Sequence, residues 1–259
     1  MLVQDVYAFL DEIAPFSDAM DFDNSGLLVG SPSAPVNKIL VTLDCTLPAI
    51  QAARQEGADL IVSHHPVIFD PLKQLPAGSV VYELIRSGIS VISAHTNLDL
   101  AQSGVNDALA SQLGLNGAQT LSPIRCTAPD KTQTVKSLGQ IGCLPAPLPP
   151  KDFAGLVQKR LGGNVRFVCG NRPVSQVAVC GGSGADCLAD ALAAGADALV
   201  TSEVKHHIFL LAAQQGITLV DAGHFHTEDV VIEPLCRLLR QRFAQTPVVP
   251  YHLDVIQTL

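Results

Sequence analysis

The sequence predicts an α/β protein built from two related, interlocked α/β lobes with mostly parallel sheets. Two observations lead to this fold class. Strand-like apolar runs alternate with helix-like segments along the chain, which is typical of parallel sheets covered by helices. In addition, the order of strands and turns in the first half recurs in the second half, which indicates an internal duplication.

The first half supplies the clearest elements. Val3, Val6, Leu10 and Ile13 have helical spacing, and this helix stops at Pro15 because proline lacks a backbone N–H. The elements that follow are a strand at 38–44, a helix at 50–54 ended by Gly57, a strand at 60–62, a helix at 80–85, a strand at 89–94 and a helix at 105–113.

A proline-rich run, 145–150, follows the first half. Four of its six residues are prolines, and proline cannot donate to a strand ladder. We therefore expect a connection here rather than a central strand, leading to a helix that begins near Asp152.

The evidence for the duplication is that three segments of the first half match three segments of the second half in the same order. Residues 36–41 align with 174–179, an offset of 138 residues, and at this offset the Gly57-Ala58-Asp59 turn falls on Gly195-Ala196-Asp197. After one deletion, residues 88–92 align with 216–220. The predicted first lobe is 1–124 with 223–259, the second is 125–222, and the functional site is expected in the cleft between them.

Composition and charge exclude several functional classes. Lys and Arg number 16 against 24 Asp and Glu, a net charge of −8 that argues against a general nucleic-acid-binding surface. The longest apolar stretch, Ile208 to Ala213, is far too short for a membrane span, and no basic region of a secretory signal opens the sequence. We expect a cytoplasmic protein without a membrane partner.

The chain is more apolar than most. Hydrophobic residues make up 47% and charged residues 15%, against about 25% charged in an ordinary domain, and the mean hydropathy is +0.30. This favours a homo-oligomer that buries apolar surface between subunits, although a well-buried α/β sheet has the same composition. The seven scattered cysteines include no CxxC pair and are interpreted as small buried apolar residues in a reducing compartment.

Histidines and carboxylates follow the matched strands, at the point where each strand ends. In open α/β sheets the functional crevice lies at the carboxyl ends of the strands. Of the eight histidines, only His252 lies elsewhere. The residues concerned are His64, His65, His95, Asp99, Glu203, His206, His207, His224, His226 and Glu228.

Imidazole nitrogens and carboxylate oxygens without a nearby thiolate suit Zn, Fe, Mn, Ni or Co. Five ligands are too many for one catalytic zinc, but they suit two divalent ions that share a bridging carboxylate. If the segment after Gly223 is helical, His224 and Glu228 occupy positions i and i+4 and face the same way. The predicted ligands are His64, His65, Asp99, His224 and Glu228.

Other residues beside this site have open roles. Glu203, His206 or His207 is expected to act as a general base or bind substrate, although the same stretch also fits a packed helix. His95 is either a ligand or a residue that orients one. Asp44 ends its strand at the same edge, and both Asp44 and His95 are also expected to bind substrate.

For two further motifs, a structural role is favoured over a binding role. The turn Gly181-Gly182-Ser183-Gly184 could cradle a phosphate but matches no phosphate-binding fingerprint, so a tight turn is favoured. The arginines at 237, 240 and 242 are interpreted as a solvated helix face, and a local nucleic-acid-binding patch is the less favoured alternative.

Five strings together resemble one known family over essentially the whole chain. They are Asp21-Phe22-Asp23-Asn24-Ser25-Gly26-Leu27-Leu28-Val29-Gly30, Ser63-His64-His65-Pro66, His95-Thr96-Asn97-Leu98-Asp99, Thr201-Ser202-Glu203 and Gly223-His224-Phe225-His226-Thr227-Glu228. The resemblance is to the NGG-one-interacting-factor-three-like family, also described as GTP cyclohydrolase I type-two-like.

This resemblance implies two α/β lobes, a dinuclear metal centre and a ring-shaped hexamer built as a trimer of dimers. The metal ligands that it implies fall on the five residues chosen above. His226 departs from the family pattern, in which a small residue is frequent, and so adds an imidazole that could bind substrate near the metals. Ser202 stands where a glycine is usual, and at 259 residues the chain resembles the short form of the family.

The function expected from these observations is a dinuclear-metal-dependent hydrolase acting on a nucleotide or a phosphoester. The resemblance points to a GTP cyclohydrolase, in which hydroxide attacks C8 of guanine; phosphoester hydrolysis would use the same residues. The alternative is a non-enzymatic metal-binding ring protein that regulates or binds a partner, in which case the metal sites would be closed.

Overall fold

The computed structural model describes residues 1–127 and 133–257, which form two compact α/β units. The first unit contains Met1–Gln102 and Ile232–Val255, and the second contains Ser103–Cys126 together with 133–231. Each unit is therefore assembled from stretches that are separated in sequence. Residues 103–124 and 223–231 belong to the second unit here, whereas the sequence-based boundaries place them in the first lobe.

The secondary structure consists of short elements in regular alternation. The helices are α1 Val3–Ile13, α2 Leu47–Glu56, α3 Val80–Ser87, α4 Thr96–Leu100, α5 Val105–Gln112, α6 Pro150–Leu161, α7 Leu188–Ala193, α8 His206–Gln215, α9 His224–Glu228 and α10 Ile232–Arg242. The strands are β1 Gly26–Val29, β2 Ile39–Thr42, β3 Leu60–Ser63, β4 Ser90–Ser93, β5 Asn116–Thr127, β6 Gln133–Leu148, β7 Arg166–Val168, β8 Val174–Val179, β9 Ala198–Thr201, β10 Thr218–Asp221 and β11 Val248–Tyr251.

The first unit has a five-stranded sheet in the order β1-β4-β3-β2-β11. All neighbours run parallel except β1, which pairs antiparallel with β4. Every residue of β2, β3 and β4 is buried, as expected for strands covered on both faces. On one face Leu40, Ile61 and Val91 pack with Ile50 of α2 and Leu84 of α3.

The second unit has a six-stranded sheet in the order β5-β6-β8-β9-β10-β7. Its centre, β8-β9-β10, is parallel, and β6 and β7 flank it in the antiparallel direction. Successive residues of β8 face opposite layers: Val177 packs with Phe153 of α6, whereas Ala178 packs with Leu188 of α7.

The predicted duplication is confirmed at the level of hydrogen bonds. Four strands follow the same order in both units, β1-β4-β3-β2 in the first and β7-β10-β9-β8 in the second. The Asp59 carboxylate accepts the backbone N–H groups of Asn37 and Lys38, and the Asp197 carboxylate accepts those of Ser175 and Gln176. These residues correspond at the predicted offset, so the aspartate of each turn fixes the start of the neighbouring strand.

The proline-rich run is a correction to the sequence analysis. β6 extends through Pro145 and Pro147 to Leu148, although it lies between β5 and β8 in the sheet. Its register with β8 shifts between Cys143 and Leu148, which interrupts the ladder where the prolines lie. The missing N–H groups of the prolines are therefore tolerated. The helix that follows begins at Pro150, a position that favours proline because its N–H would be unpaired there.

The cysteine prediction is correct only in part. All seven cysteines lie in the described residues and none of them forms a disulfide there; Cys126, Cys180, Cys187 and Cys236 are buried. Cys143 and Cys169 are exposed, Cys143 because it lies on β6 between inward-facing Gly142 and Leu144. Burial raises the pKa of Cys236 to about 12, and burial together with the Asp44 charge raises that of Cys45 to about 12. Both are thiols at neutral pH.

No helix in the described part of the chain combines the length and the apolar character needed to cross a bilayer.

Candidate metal centre

Two adjacent parallel strands of the first unit bring imidazoles together at their carboxyl ends. His64 and His65 follow β3, and His95 follows β4, whose last residue Ser93 pairs with Ser63. The ring centroids lie 5.0 Å apart for His64 and His65, 5.1 Å for His64 and His95, and 5.6 Å for His65 and His95. Their ligand nitrogens lie within 4.8 Å of one another, so this imidazole triad could hold a metal ion.

The Nδ1 atom of each triad histidine is held by an acceptor. His64 Nδ1 donates to the backbone oxygen of Ala94 at 2.9 Å. His65 Nδ1 donates to Asp44 Oδ1 at 2.7 Å, and His95 Nδ1 donates to Asp23 Oδ1 at 2.8 Å. Because these partners only accept, the proton lies on Nδ1 and the lone pair of the neutral ring lies on Nε2. This is the usual arrangement of metal-binding histidines.

Asp99 adds a carboxylate to the triad in the first unit. It lies on α4, the short helix that begins directly after His95. Its Oδ1 is 3.6 Å from His64 Nε2, the nitrogen with the lone pair. Of the sequence-predicted ligands, the first unit therefore brings together His64, His65 and Asp99. They lie with His95 at the edge of the sheet where the parallel strands end.

The second unit supplies an imidazole and a carboxylate on α9. His224 and Glu228 are one helical turn apart, as predicted, and His224 Nε2 lies 2.9 Å from Glu228 Oε2. His224 Nδ1 donates to Glu203 Oε1 at 2.8 Å, so this histidine too is held through Nδ1. Glu203 has a φ of 54°, which is rare for a residue with a side chain and marks local backbone strain.

The Gly181–Gly184 turn packs beneath this pair. A Cβ on Gly182 would lie 2.0 Å from Glu228 Oε1 and 3.3 Å from His224 Nε2. Gly182 also has a φ of 61°, and its N–H donates to Thr227 Oγ1. The N–H groups of Gly181 and Gly184 donate to Asn106 and Thr201. The turn is therefore a close support for the pair, and these three N–H groups are already used within the protein.

Asp23 is a site residue that the sequence analysis missed. Burial would raise the pKa of its carboxyl, but hydrogen bonds from His95, Thr96 and Ser25 outweigh burial and lower the pKa far below its usual range. The charged carboxylate thereby fixes both His95 and the start of α4. The available signal was the position of Asp23 inside a string that resembles the family.

The remaining predicted residues are distributed as follows. Asp44 contacts His65, and Glu203 contacts His224, so each carboxylate positions a candidate ligand histidine. His206 and His207 begin α8 and are exposed. His226 packs against Gly163, where an added Cβ would lie 2.2 Å from its Nε2. The helix therefore turns His226 away from the face shared by His224 and Glu228.

These residues fit a bound transition metal. The donors are imidazole nitrogens and carboxylate oxygens, which suit Zn, Fe, Mn, Ni or Co. Four histidines are fixed by a hydrogen bond at Nδ1, and the glycine turn leaves room for Glu228.

The fold and these residues define a duplicated α/β protein with histidine and carboxylate groups suited to metal binding. The model of the Duf34/NIF3 (NGG1p interacting factor 3) family matches residues 1–257. The chain belongs to this family, which confirms the resemblance in the sequence.

Two curated relatives align with this chain over most of both sequences. A Clostridium perfringens protein named GTP cyclohydrolase 1 type 2 homolog is 31% identical, with 93% of this chain and 92% of the relative aligned. A Streptomyces coelicolor protein of the same name is 34% identical, with 87% and 81% aligned.

Solved structures agree with the fold. The crystal structure of a hypothetical protein from Staphylococcus aureus superposes with a TM-score of 0.93 at 30% identity, covering 100% of this chain and 99% of the other. The Bacillus cereus protein related to NIF3 superposes with a TM-score of 0.92 at 23% identity, covering 100% and 99%, and supports the fold alone.

Proposed function

We propose that the protein is a dinuclear-metal-dependent hydrolase. The observation that carries this proposal is the set of four histidines held at Nδ1 by Ala94, Asp44, Asp23 and Glu203, an arrangement in which Nε2 is the nitrogen that would bind a metal. Structural histidines have no need of such a uniform arrangement, whereas metal ligands are held in this way.

Five residues are proposed to hold two divalent ions: His64, His65, Asp99, His224 and Glu228. His95 is the sixth candidate, because its ring belongs to the imidazole triad. Bound ions of this kind lower the pKa of a water ligand toward about 7 and stabilise negative charge that develops on the substrate.

The protein's own groups supply orientation and proton transfer. Asp44, Asp23 and Glu203 keep the protons of their histidines on Nδ1. Glu203 has a half-exposed side chain, so in addition to holding His224 it is proposed to accept or deliver a proton. The exposed His206 and His207 are proposed as further proton carriers, and Asp44 is proposed as a substrate contact. The packing of His226 against Gly163 leaves the substrate contact predicted for His226 without support.

The substrate is proposed to be a nucleotide or a phosphoester. The names of the curated relatives favour GTP, with opening of the imidazole ring of guanine as the reaction. The protein is further proposed to act in the cytoplasm as a homo-oligomer, a hexamer arranged as a trimer of dimers.

The test combines metal analysis with a substrate screen. Purified protein is loaded with Zn, Fe, Mn, Ni or Co and assayed with GTP for formate release and with phosphoesters for phosphate release. We expect about two ions per chain, and we expect His64→Ala and Glu228→Ala to lose metal and at least 100-fold of turnover while they remain folded.

His252→Ala is the control, because His252 follows β11 at the outer side of the first-unit sheet, where its Nε2 lies 3.8 Å from Glu233 Oε1, and it is not one of the proposed ligands. Turnover that survives in His64→Ala and Glu228→Ala refutes the hydrolase. Metal binding without turnover of any substrate would instead support the alternative, a metal-binding regulatory protein.

A further inference from the structure

Two exposed aromatic side chains lie beside the imidazole triad in the first unit. Phe22 is 64% exposed and Phe69 is 48% exposed, so much of each ring faces water. Their ring centroids lie 6.5 Å apart, with the rings tilted by 44°. The Phe69 ring also lies 6.3 Å from the His95 ring in an edge-on arrangement.

A short loop holds this aromatic pair and a triad histidine in one arrangement. Asn24 Nδ2 donates to the backbone oxygen of Ile68 at 2.6 Å, which ties the Phe22 loop to the Phe69 loop. The intervening Asp23 holds His95 Nδ1, and Ser25 Oγ donates to the same carboxylate. The positions of the two rings relative to His95 are therefore set by hydrogen bonds before any ligand arrives.

We infer that Phe22 and Phe69 form a stacking platform for the planar base of a nucleotide substrate. This inference rests on the proposed function and narrows its substrate to molecules with a heteroaromatic ring. A flat base covers apolar ring faces that otherwise stay in water, and stacking on an aromatic side chain tolerates any base. A phosphoester without a ring gains nothing from the platform.

Equilibrium binding of GMP tests the platform without requiring turnover. The zinc-loaded protein is titrated with GMP by calorimetry, and glycerol 2-phosphate is titrated as a ligand that has the phosphate but no ring. Phe22→Ala and Phe69→Ala are each expected to weaken GMP binding about tenfold, because stacking contributes about that factor per base. Glycerol 2-phosphate is expected to bind all variants equally.

Three further variants separate stacking from other roles. Phe69→Tyr keeps the ring and should retain GMP affinity, whereas Phe22→Leu keeps apolar volume and should lose it. Ile85→Ala is the control for removal of an exposed apolar side chain, since Ile85 is 58% exposed on α3. Circular dichroism and the zinc content of each variant show whether the fold and the metal ligands are intact.

The outcomes distinguish the platform from the hydrolase. Equal GMP affinity in wild type, Phe22→Ala and Phe69→Ala overturns the platform and leaves the hydrolase untouched. Ring-dependent GMP binding without turnover supports the platform while the hydrolase fails. A loss of oligomer mass in both alanine variants, with GMP affinity unchanged, overturns the platform by assigning the rings to a subunit contact.

Discussion

The function of individual site residues depends on atoms that the sequence leaves unspecified. His64, His65, His95 and His224 are all ambiguous as isolated histidines, since either ring nitrogen can bind a metal. In the fold, an acceptor occupies Nδ1 in every case, so Nε2 is the nitrogen that would bind a metal. Asp44 and Glu203 were predicted as substrate and catalytic residues, and the structure adds a positioning role to both.

Gly182 provides a test at the residue scale. Gly182→Ala is expected to displace the Glu228 carboxylate, because the added Cβ would lie 2.0 Å from Oε1. We expect this variant to bind less metal than wild type, as measured by elemental analysis after dialysis. Its melting temperature should also fall, by about 2–4 °C for each kcal/mol of lost stability.

Gly117→Ala is the matched control for backbone strain. Gly117 has a φ of 64°, nearly that of Gly182, but nothing lies within 4 Å of an added Cβ. Both variants incur the left-handed penalty of about 1 kcal/mol. If Gly117→Ala lost as much metal as Gly182→Ala, strain rather than contact with Glu228 would explain the effect.

At the scale of elements, short strands with fixed ends determine where functional residues lie. The strands predicted at 38–44, 60–62 and 89–94 are confirmed to within two residues at each end. Short runs of β-branched residues and leucine strongly favour a buried strand over other local structures. The prediction that the proline-rich run is a connection was wrong, because a shift of register between β6 and β8 removes the need for the N–H groups that proline lacks. Such a shift is a property of the pair of strands.

Asp197 provides a test of the duplicated turn. Its carboxylate accepts the N–H groups of Ser175 and Gln176 at 2.9 and 2.8 Å, at the start of β8. Asp197→Ala is expected to lower the free energy of unfolding by about 2–3 kcal/mol, because hydrogen bonds to a charged acceptor are lost. Urea unfolding followed by circular dichroism measures this loss.

Two related variants make the measurement specific. Asp197→Asn retains one neutral acceptor and should lose less stability than Asp197→Ala. Asp59→Ala removes the equivalent carboxylate of the first unit and should cost a similar amount. A change below about 0.5 kcal/mol in both alanine variants would show that the turn aspartates do not stabilise the strands.

For the molecule as a whole, the apolar composition raises the question of which exposed apolar side chains a subunit contact would bury. α8 exposes Leu210 and Leu211, at 52% and 41%, on a helix without an acidic or basic residue in its last turn. The predicted homo-oligomer would bury such a face. Leu210→Lys combined with Leu211→Lys is expected to lower the mass measured by light scattering, since lysines at a subunit interface lose their hydration.

Ile85→Lys on α3 is the comparison for this oligomer test. Ile85 is exposed to a similar extent but lies on a different helix, in the first unit. A hexamer that persists in the α8 variant but dissociates in the α3 variant would assign the interface to α3. A wild-type monomer would refute the oligomer altogether.

The sequence alone determined the fold class, the duplication and the identity of the candidate ligands. Periodicity and repeated turns depend on neighbouring residues, so they can be read from the chain in order. Only the tertiary structure decided that Asp23, 72 residues before His95, holds its ring, and that Gly182 makes room for Glu228. Such contacts depend on strand register and packing, which bring together residues that no local pattern connects.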